Sequence, residues 1–169
     1  MRNWIDLLEN HSIPAVIYHG TSLRALIRII GLDALLGGED DNGGAGTFCS
    51  GKMVTSMRYI ADHMYNGPDG AVMVLDTNAI KTLGHDISLY HYYEGNDGDE
   101  YLIDCSTHDL KPITICLNAI IMPRANHDIL RQIVSDDSDL AFVDEEWDNG
   151  IKEYLAAANK LFSMNITVV

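Results

Sequence analysis

The sequence predicts a single α+β domain that spans residues 1–169, and three observations support this prediction. A chain of 169 residues with 47% hydrophobic content can bury one core without disulfides or a structural metal. Strongly β-prone apolar runs occur together with helical periodicities. These strands and helices do not follow the strand–helix–strand alternation of a doubly wound parallel sheet, and such a mixture is typical of α+β folds.

The first third of the chain predicts a helix, a strand and a second helix. Residues 3–8 have apolar side chains at helical spacing before a proline interrupts the chain. Residues 15–18 predict a buried strand that ends on His19 and Gly20, where a polar ring and a bare backbone face a ligand. Residues 21–32 then predict an amphipathic helix that stops at Gly31.

The remaining elements are predicted from the same two periodicities. Residues 37–46 form an acidic, glycine-rich loop that lacks the order of residues of a phosphate-binding P-loop. The predicted strands cover residues 47–50, 70–77, 100–106, 112–122 and, at an edge of the sheet, 164–169. The predicted helices cover residues 52–65, 126–134 and 147–162.

Charge and cysteine content limit the classes of partner. Eleven basic and 25 acidic residues give a formal net charge of −14, which disfavours duplex DNA and anionic membranes. Acidic residues concentrate in residues 135–148, which predicts a solvated face, a surface that imitates nucleic acid, or a docking surface for a basic partner. Three cysteines without a CxxC pair predict reduced thiols in the cytoplasm. The first residues do not have the pattern of a signal peptide, which favours a cytoplasmic location. Export by a signal-independent route stays open.

Three motifs follow one another at informative spacings. The first is YHGTS, residues 18–22, and the second is GTFCSGKMVTSMRY, residues 46–59. In the second motif Phe48 and Tyr59 lie eleven residues apart with Ser56 between them. The third motif is DEYLID, residues 99–104, in which Glu100 opens a strand.

Together these motifs resemble the His-Tyr-Glu group of ADP-ribosyltransferases, which includes the diphtheria-toxin-like and poly(ADP-ribose) polymerase-like enzymes. The resemblance covers residues 16–115, about 60% of the chain. It implies a split β-sheet with flanking helices and, as substrate, NAD lying across the split. It also implies transfer of ADP-ribose to a macromolecule with release of nicotinamide.

The resemblance implies a role for each motif residue. His19 holds the adenosine ribose, while the backbone of Gly20 and the hydroxyl of Ser56 hold the nicotinamide amide. Phe48 and Tyr59 stack on the nicotinamide ring, with cation–π attraction of up to about 2 kcal/mol. Glu100 binds the nicotinamide ribose and stabilises the positive charge of the transition state. The implied catalytic residues are Glu100, His19 and Tyr59, and the implied NAD contacts are His19, Gly20, Thr21, Phe48, Ser56 and Tyr59.

One position departs from the family pattern, because Phe48 stands where the family has a tyrosine. The ring face is kept and the hydroxyl is lost. The short connection before Glu100 favours transfer of a single ADP-ribose over chain growth, and the acidic surface favours a protein acceptor. No histidine pair has metal-ligand spacing, so no metal site is predicted. Two alternatives remain open: a non-catalytic NAD-binding or ADP-ribose-binding module, and an interaction protein that acts through residues 135–148.

Overall fold

The computed structural model describes five segments of the chain: residues 12–39, 45–57, 70–91, 99–135 and 150–169. Their strands form one sheet. The strands are β1 (Val16–Ser22), β2 (Gly38–Glu39), β3 (Ala45–Ser50), β4 (Gly70–Asp76), β5 (Ile87–His91), β6 (Glu100–Asp104), β7 (Leu117–Met122) and β8 (Ile166–Val168). Their order across the sheet is β5-β6-β3-β1-β4-β7-β8, and β2 pairs with β3.

The sheet is continuous on both sides of its centre but opens between β1 and β3. Strand β1 pairs with β4 along its whole length, from Val16 opposite Asp76 to Ser22 opposite Gly70. Strand β3 likewise pairs with β6 over five register positions. Between β1 and β3, in contrast, the described register has one position, Tyr18 opposite Ser50. The two halves of the sheet therefore meet at one end of this seam and separate beyond it.

Five helices lie wholly within the described residues and flank the sheet, in addition to the helical residues 53–57. They are α1 (Leu23–Leu32), α2 (Thr77–Thr82), α3 (Ile113–Cys116), α4 (Arg124–Ser135) and α5 (Ile151–Phe162). Helix α1 begins after Ser22, whose Oγ accepts a hydrogen bond from the backbone N–H of Ala25 at 3.1 Å. Helix α5 packs on α1, and the Nζ of Lys160 donates to the carbonyl of Ile30.

The apolar faces predicted for the helices enclose the core. Leu23, Leu26, Ile27 and Ile30 of α1 are all buried, as the periodicity predicts. They belong to one hydrophobic cluster that also includes Met73 of β4, Ile120 of β7 and Leu161 of α5. Since α1 lies against β1 and β4, this packing fixes the position of the helix beside the seam. No helix among the described segments is long and apolar enough to span a membrane.

Most predicted elements are found, and several need correction. The first strand does not end at His19 and Gly20 but runs to Ser22, because β4 continues to pair with it. Gly31 does not stop α1; Asp33 takes the left-handed conformation, with φ of 51°, and its N–H donates to the carbonyl of Ile29. Residues 112–122 are not one strand but helix α3 followed by β7.

The turn of α3 has a clear physical cause. The carboxylate of Asp33 accepts hydrogen bonds from the backbone N–H of Thr114 at 3.0 Å and from its hydroxyl. This bond between distant parts of the chain overrides the β propensity of the segment. Residues 38–39 of the predicted loop form β2, while α2 and β5 were not predicted. The predicted helix over residues 3–8 lies outside the described residues, as does the second half of the helix over residues 52–65.

Candidate functional site

A cavity of about 430 Å³ lies at the seam between β1 and β3. Strand β1 contributes residues 18–21, β3 contributes residues 46–50, and helix α1 covers one side. Thr55 and Ser56 from the helical residues 53–57 and Glu100 at the start of β6 line it as well. The separation of the two strands thus produces a groove into which backbone as well as side chains are exposed.

Gly20 presents its backbone to this groove. The N–H of Gly51 donates to the carbonyl of Asp99, so the backbone groups of Gly51 face β6 and those of the preceding residue, Ser50, face β1. Tyr18 and Ser50 therefore exchange backbone hydrogen bonds across the seam. Backbone groups of alternate residues face the same edge of a strand, which directs the N–H and C=O of Gly20 to the edge that β3 has left. A donor and an acceptor therefore stand side by side, the pair that a carboxamide recognises.

The His19 ring spans the seam. Its Nδ1 lies 2.9 Å from the carbonyl oxygen of Phe48, and because a carbonyl only accepts, Nδ1 holds the proton. In the neutral ring Nε2 is then an acceptor. Burial lowers the pKa of His19 below its ordinary value of 6.5, against the opposing effect of the hydrogen bond to Phe48. The ring is therefore neutral at physiological pH, and Nε2 can accept a hydrogen bond from a ribose hydroxyl.

Ser56 reaches the groove from the other side of the seam. It is 4% exposed, and its hydroxyl donates to the carbonyl of Tyr18 at 2.8 Å. Because that bond uses the only hydroxyl hydrogen, Ser56 meets a ligand as an acceptor, suited to the NH₂ of an amide. The hydroxyl also ties the helical residues 53–57 to β1, which fixes their distance from Gly20.

Phe48 lies half-buried on the wall of the groove. Its ring packs edge-on against Tyr90 of β5, with 4.9 Å between the ring centroids and 73° between the planes. An edge-on neighbour holds the ring in place through the favourable electrostatics of a T-shaped pair. Tyr90 was not predicted as part of this region, since the strand to which it belongs gave no clear signal in the sequence.

Glu100 stands at the end where the two halves of the sheet still meet. It pairs with Ser50, which in turn pairs with Tyr18, so the three residues form a row across β6, β3 and β1. At the usual strand spacing, the backbone of Glu100 lies roughly 10 Å from that of β1. The groove thus joins Glu100 with His19, Gly20, Thr21, Phe48 and Ser56, whereas Tyr59 lies outside the described residues.

The wall formed by α1 was not predicted as part of the site. Ala25, Arg28, Ile29 and Leu32 recur at the spacing of one helix face, and all four line the groove. The sequence signal was present, because these residues form a second stripe beside the buried one. Arg28 is the residue in it that stands out, as a cation within an apolar stripe.

Cys49 lines the groove without being suited to nucleophilic attack. It is 4% exposed, and burial together with the neighbouring Cys105 raises the pKa of its thiol. Within the described segments, no group of three or more His, Cys, Asp or Glu residues is arranged to hold a metal ion. The rings of His85 and His108 lie with their centroids 4.3 Å apart and their planes at 43°, and neither residue lines the groove.

Comparison with known proteins identifies the fold. No protein family and no curated protein matches the chain. Among solved structures, DarT from Thermus sp. 2.9 in complex with NAD+ is 10% identical, with a TM-score of 0.54 over 95% of this chain and 98% of that chain. The same DarT in complex with ADP-ribosylated ssDNA is 10% identical, with a TM-score of 0.53 over 92% of this chain and 94% of that chain. These similarities confirm the predicted split-sheet α+β fold.

Proposed function

We propose that this protein is an NAD-dependent ADP-ribosyltransferase of the His-Tyr-Glu group. The observation that supports this most strongly is the open seam, in which the backbone of Gly20, the neutral ring of His19 and the carboxylate of Glu100 line one groove. Structures of the same fold in complex with NAD+ and carba-NAD+ support NAD as the substrate. No metal takes part in the proposed reaction.

NAD fits the groove with its nicotinamide at the closed end of the seam. The carboxamide donates to Ser56 Oγ and exchanges hydrogen bonds with the backbone of Gly20. Phe48 packs against the nicotinamide ring, and Nε2 of His19 accepts from the adenosine ribose. The residues that this pose needs, Glu100, Ser56, Gly20, Phe48 and His19, all line the groove.

In the proposed reaction, the bond between the ribose C1′ and the nicotinamide nitrogen breaks, and the electron pair leaves with neutral nicotinamide. The ribose acquires oxocarbenium character, and the Glu100 carboxylate stabilises this charge while it holds the ribose hydroxyls. A nucleophile of the acceptor then attacks C1′. Donors and acceptors that are fixed before NAD arrives need no reorganisation during bond cleavage, which is the source of the rate enhancement.

Nicotinamide release tests whether the protein is an enzyme or a binding module. Purified protein is incubated with NAD, and free nicotinamide is measured over time for the wild type and for Glu100→Ala. The control is Glu153→Gln, an exposed carboxylate on α5 outside the groove. Release by the wild type and Glu153→Gln, but not by Glu100→Ala, supports the transferase. Binding of NAD without release by any of the three identifies the non-catalytic module.

We propose a protein as the acceptor, because a chain of net charge −14 repels polyanions at long range. Single-stranded DNA is the second candidate, since DarT, which has the same fold, is found in complex with ADP-ribosylated ssDNA. Labelled NAD added to a cell lysate distinguishes the two. Label that resists nuclease and is lost on protease treatment supports a protein acceptor, whereas nuclease-sensitive label assigns the acceptor to nucleic acid.

The interaction-protein alternative makes a separate prediction. Residues 136–148 lie outside the described residues, so this alternative depends on their charge alone. Neutralising the acidic residues there should abolish the biological effect of an interaction protein and leave it unchanged for a transferase. Glu100→Ala should abolish the biological effect of a transferase and leave that of an interaction protein unchanged.

A further inference from the structure

We propose that Arg28 binds the diphosphate of NAD and thereby sets the affinity for the substrate. This proposal rests on the proposed function, because it assumes that NAD occupies the groove between β1 and β3. It adds a residue outside the three motifs, on a face of α1 that lines the groove.

The position of Arg28 is the first argument. Ala25, Arg28, Ile29 and Leu32 form one face of α1, and this face lines the groove. Along the helix axis Arg28 lies about 4.5 Å beyond Ala25 and about 6 Å before Leu32, at 1.5 Å per residue. Ala25 follows Thr21, the last residue of β1 that lines the groove, by four positions, and Leu32 precedes the apolar lining residues Leu35 and Leu36. Arg28 therefore lies in the middle section, where a dinucleotide has its diphosphate.

The charges along the groove are the second argument. Among the described residues that line it, Arg28 is the only lysine or arginine and Glu100 is the only carboxylate. Bound NAD has the opposite arrangement, with a cationic nicotinamide ring at one end and an anionic diphosphate in the centre. Placing the nicotinamide ribose at Glu100 puts the diphosphate beside Arg28. Only in this orientation is Glu100 attracted to the cationic end of NAD while Arg28 is attracted to the diphosphate.

The state of the Arg28 side chain is the third argument. It is half-buried, and within the described part of the chain it forms no ion pair. A guanidinium has planar, paired N–H donors that match two phosphate oxygens, and hydrogen bonds between charged groups are about twice as strong as neutral ones. In a protein with 25 acidic residues, a cation that faces a groove rather than a carboxylate is suited to an anionic ligand.

The steric surroundings favour a charged contact at this point. Ile29, Leu32, Leu35 and Leu36 form an apolar part of the groove wall, and their side chains cannot satisfy phosphate oxygens. A diphosphate in this part of the groove therefore depends on Arg28 and on water. The same wall suits a flat apolar ring, which agrees with an adenine beyond the diphosphate.

The test compares Arg28→Gln with Arg24→Gln, a variant on the same helix at an exposed position that does not line the groove. Steady-state nicotinamide release gives kcat and KM for NAD. We expect Arg28→Gln to raise KM about 10-fold to 100-fold with kcat within about three-fold of the wild type, because a charge-assisted contact is lost in ground state and transition state alike. Arg24→Gln should keep both constants, and Arg28→Lys should recover part of the loss.

Binding of two probes assigns the effect to the diphosphate. ADP-ribose contains the diphosphate and adenosine lacks it. Arg28→Gln should weaken ADP-ribose about 10-fold or more and leave adenosine unchanged. An equal loss for both probes, or a KM like that of the wild type, would overturn the assignment. Failure of the wild type to bind ADP-ribose or to release nicotinamide would instead refute the proposed function itself, and thermal unfolding of each variant excludes a folding defect.

Discussion

Replacing His19 tests the dual role that its two ring nitrogens have in the groove. Nδ1–H donates to the Phe48 carbonyl across the seam, and under the proposed function Nε2 accepts from NAD. His19→Ala removes both. The lost hydrogen bond should lower the free energy of unfolding by about 1 kcal/mol, since a net neutral hydrogen bond contributes roughly 0.5–1.5 kcal/mol. Loss of a similar bond to the ribose should raise KM for NAD about 5-fold to 10-fold.

His19→Asn separates the two effects. An asparagine amide can place its NH₂ near the position of Nδ1 but has no atom at the position of Nε2. We expect this variant to keep most of the stability and to lose the affinity for NAD. Urea unfolding measures the first quantity and nicotinamide release measures the second. The reasoning would be refuted if His19→Ala kept the KM of the wild type, or if His19→Asn and His19→Ala lost equal stability.

Four further outcomes are expected. Because burial lowers the pKa of His19 below 6.5, the unfolded state binds the proton more readily than the folded state. The free energy of unfolding should therefore keep the whole His19 contribution well above pH 6.5 and decrease as the pH drops below 6.5. This decrease should be smaller in His19→Asn. Phe48→Tyr should change NAD affinity by less than about 1.5 kcal/mol and Phe48→Ala should cost roughly 2–4 kcal/mol in nicotinamide release; equal effects would exclude stacking. Because burial raises the pKa of the Cys49 thiol, iodoacetamide at pH 8 should label it only after unfolding, as mass spectrometry would show. Gly46→Ala would bring Cβ to 2.7 Å from the carbonyl oxygen of Ile103, so the free energy of unfolding measured with urea should fall by roughly 1–3 kcal/mol. An unchanged free energy of unfolding would indicate that the strands can separate locally.

The sequence allowed the fold class to be predicted because the elements near the site have strong local signals. Strand β4 is a continuous apolar run, and α1 has a clear amphipathic period with a serine cap. The order and spacing of the motif residues resemble those of a known family, and this resemblance implied one groove for residues that the structure places together: His19, Gly20, Thr21, Phe48, Ser56 and Glu100. The fold class is confirmed, while the roles of these residues stay predictions.

Long-range contacts account for what the sequence could not show. The end of α1 depends on Asp33, whose side chain bonds Thr114, 81 residues later in the chain. The strand that was predicted to end at His19 continues because β4 pairs with it, and no local pattern reports that partner. Arg28 belongs to none of the three motifs, and only the opening between β1 and β3 places it at a groove.

The most direct test of the central claim separates binding from bond cleavage at Glu100. Glu100→Gln keeps the size of the side chain and one accepting oxygen, replaces the other oxygen by an NH₂ group, and removes the charge. Equilibrium binding of NAD and single-turnover nicotinamide release are measured on the same preparation. The account predicts NAD affinity within about three-fold of the wild type and a release rate lowered at least about 100-fold, because the carboxylate acts chiefly on charge that develops in the transition state. Nicotinamide release at the wild-type rate by Glu100→Gln would contradict it.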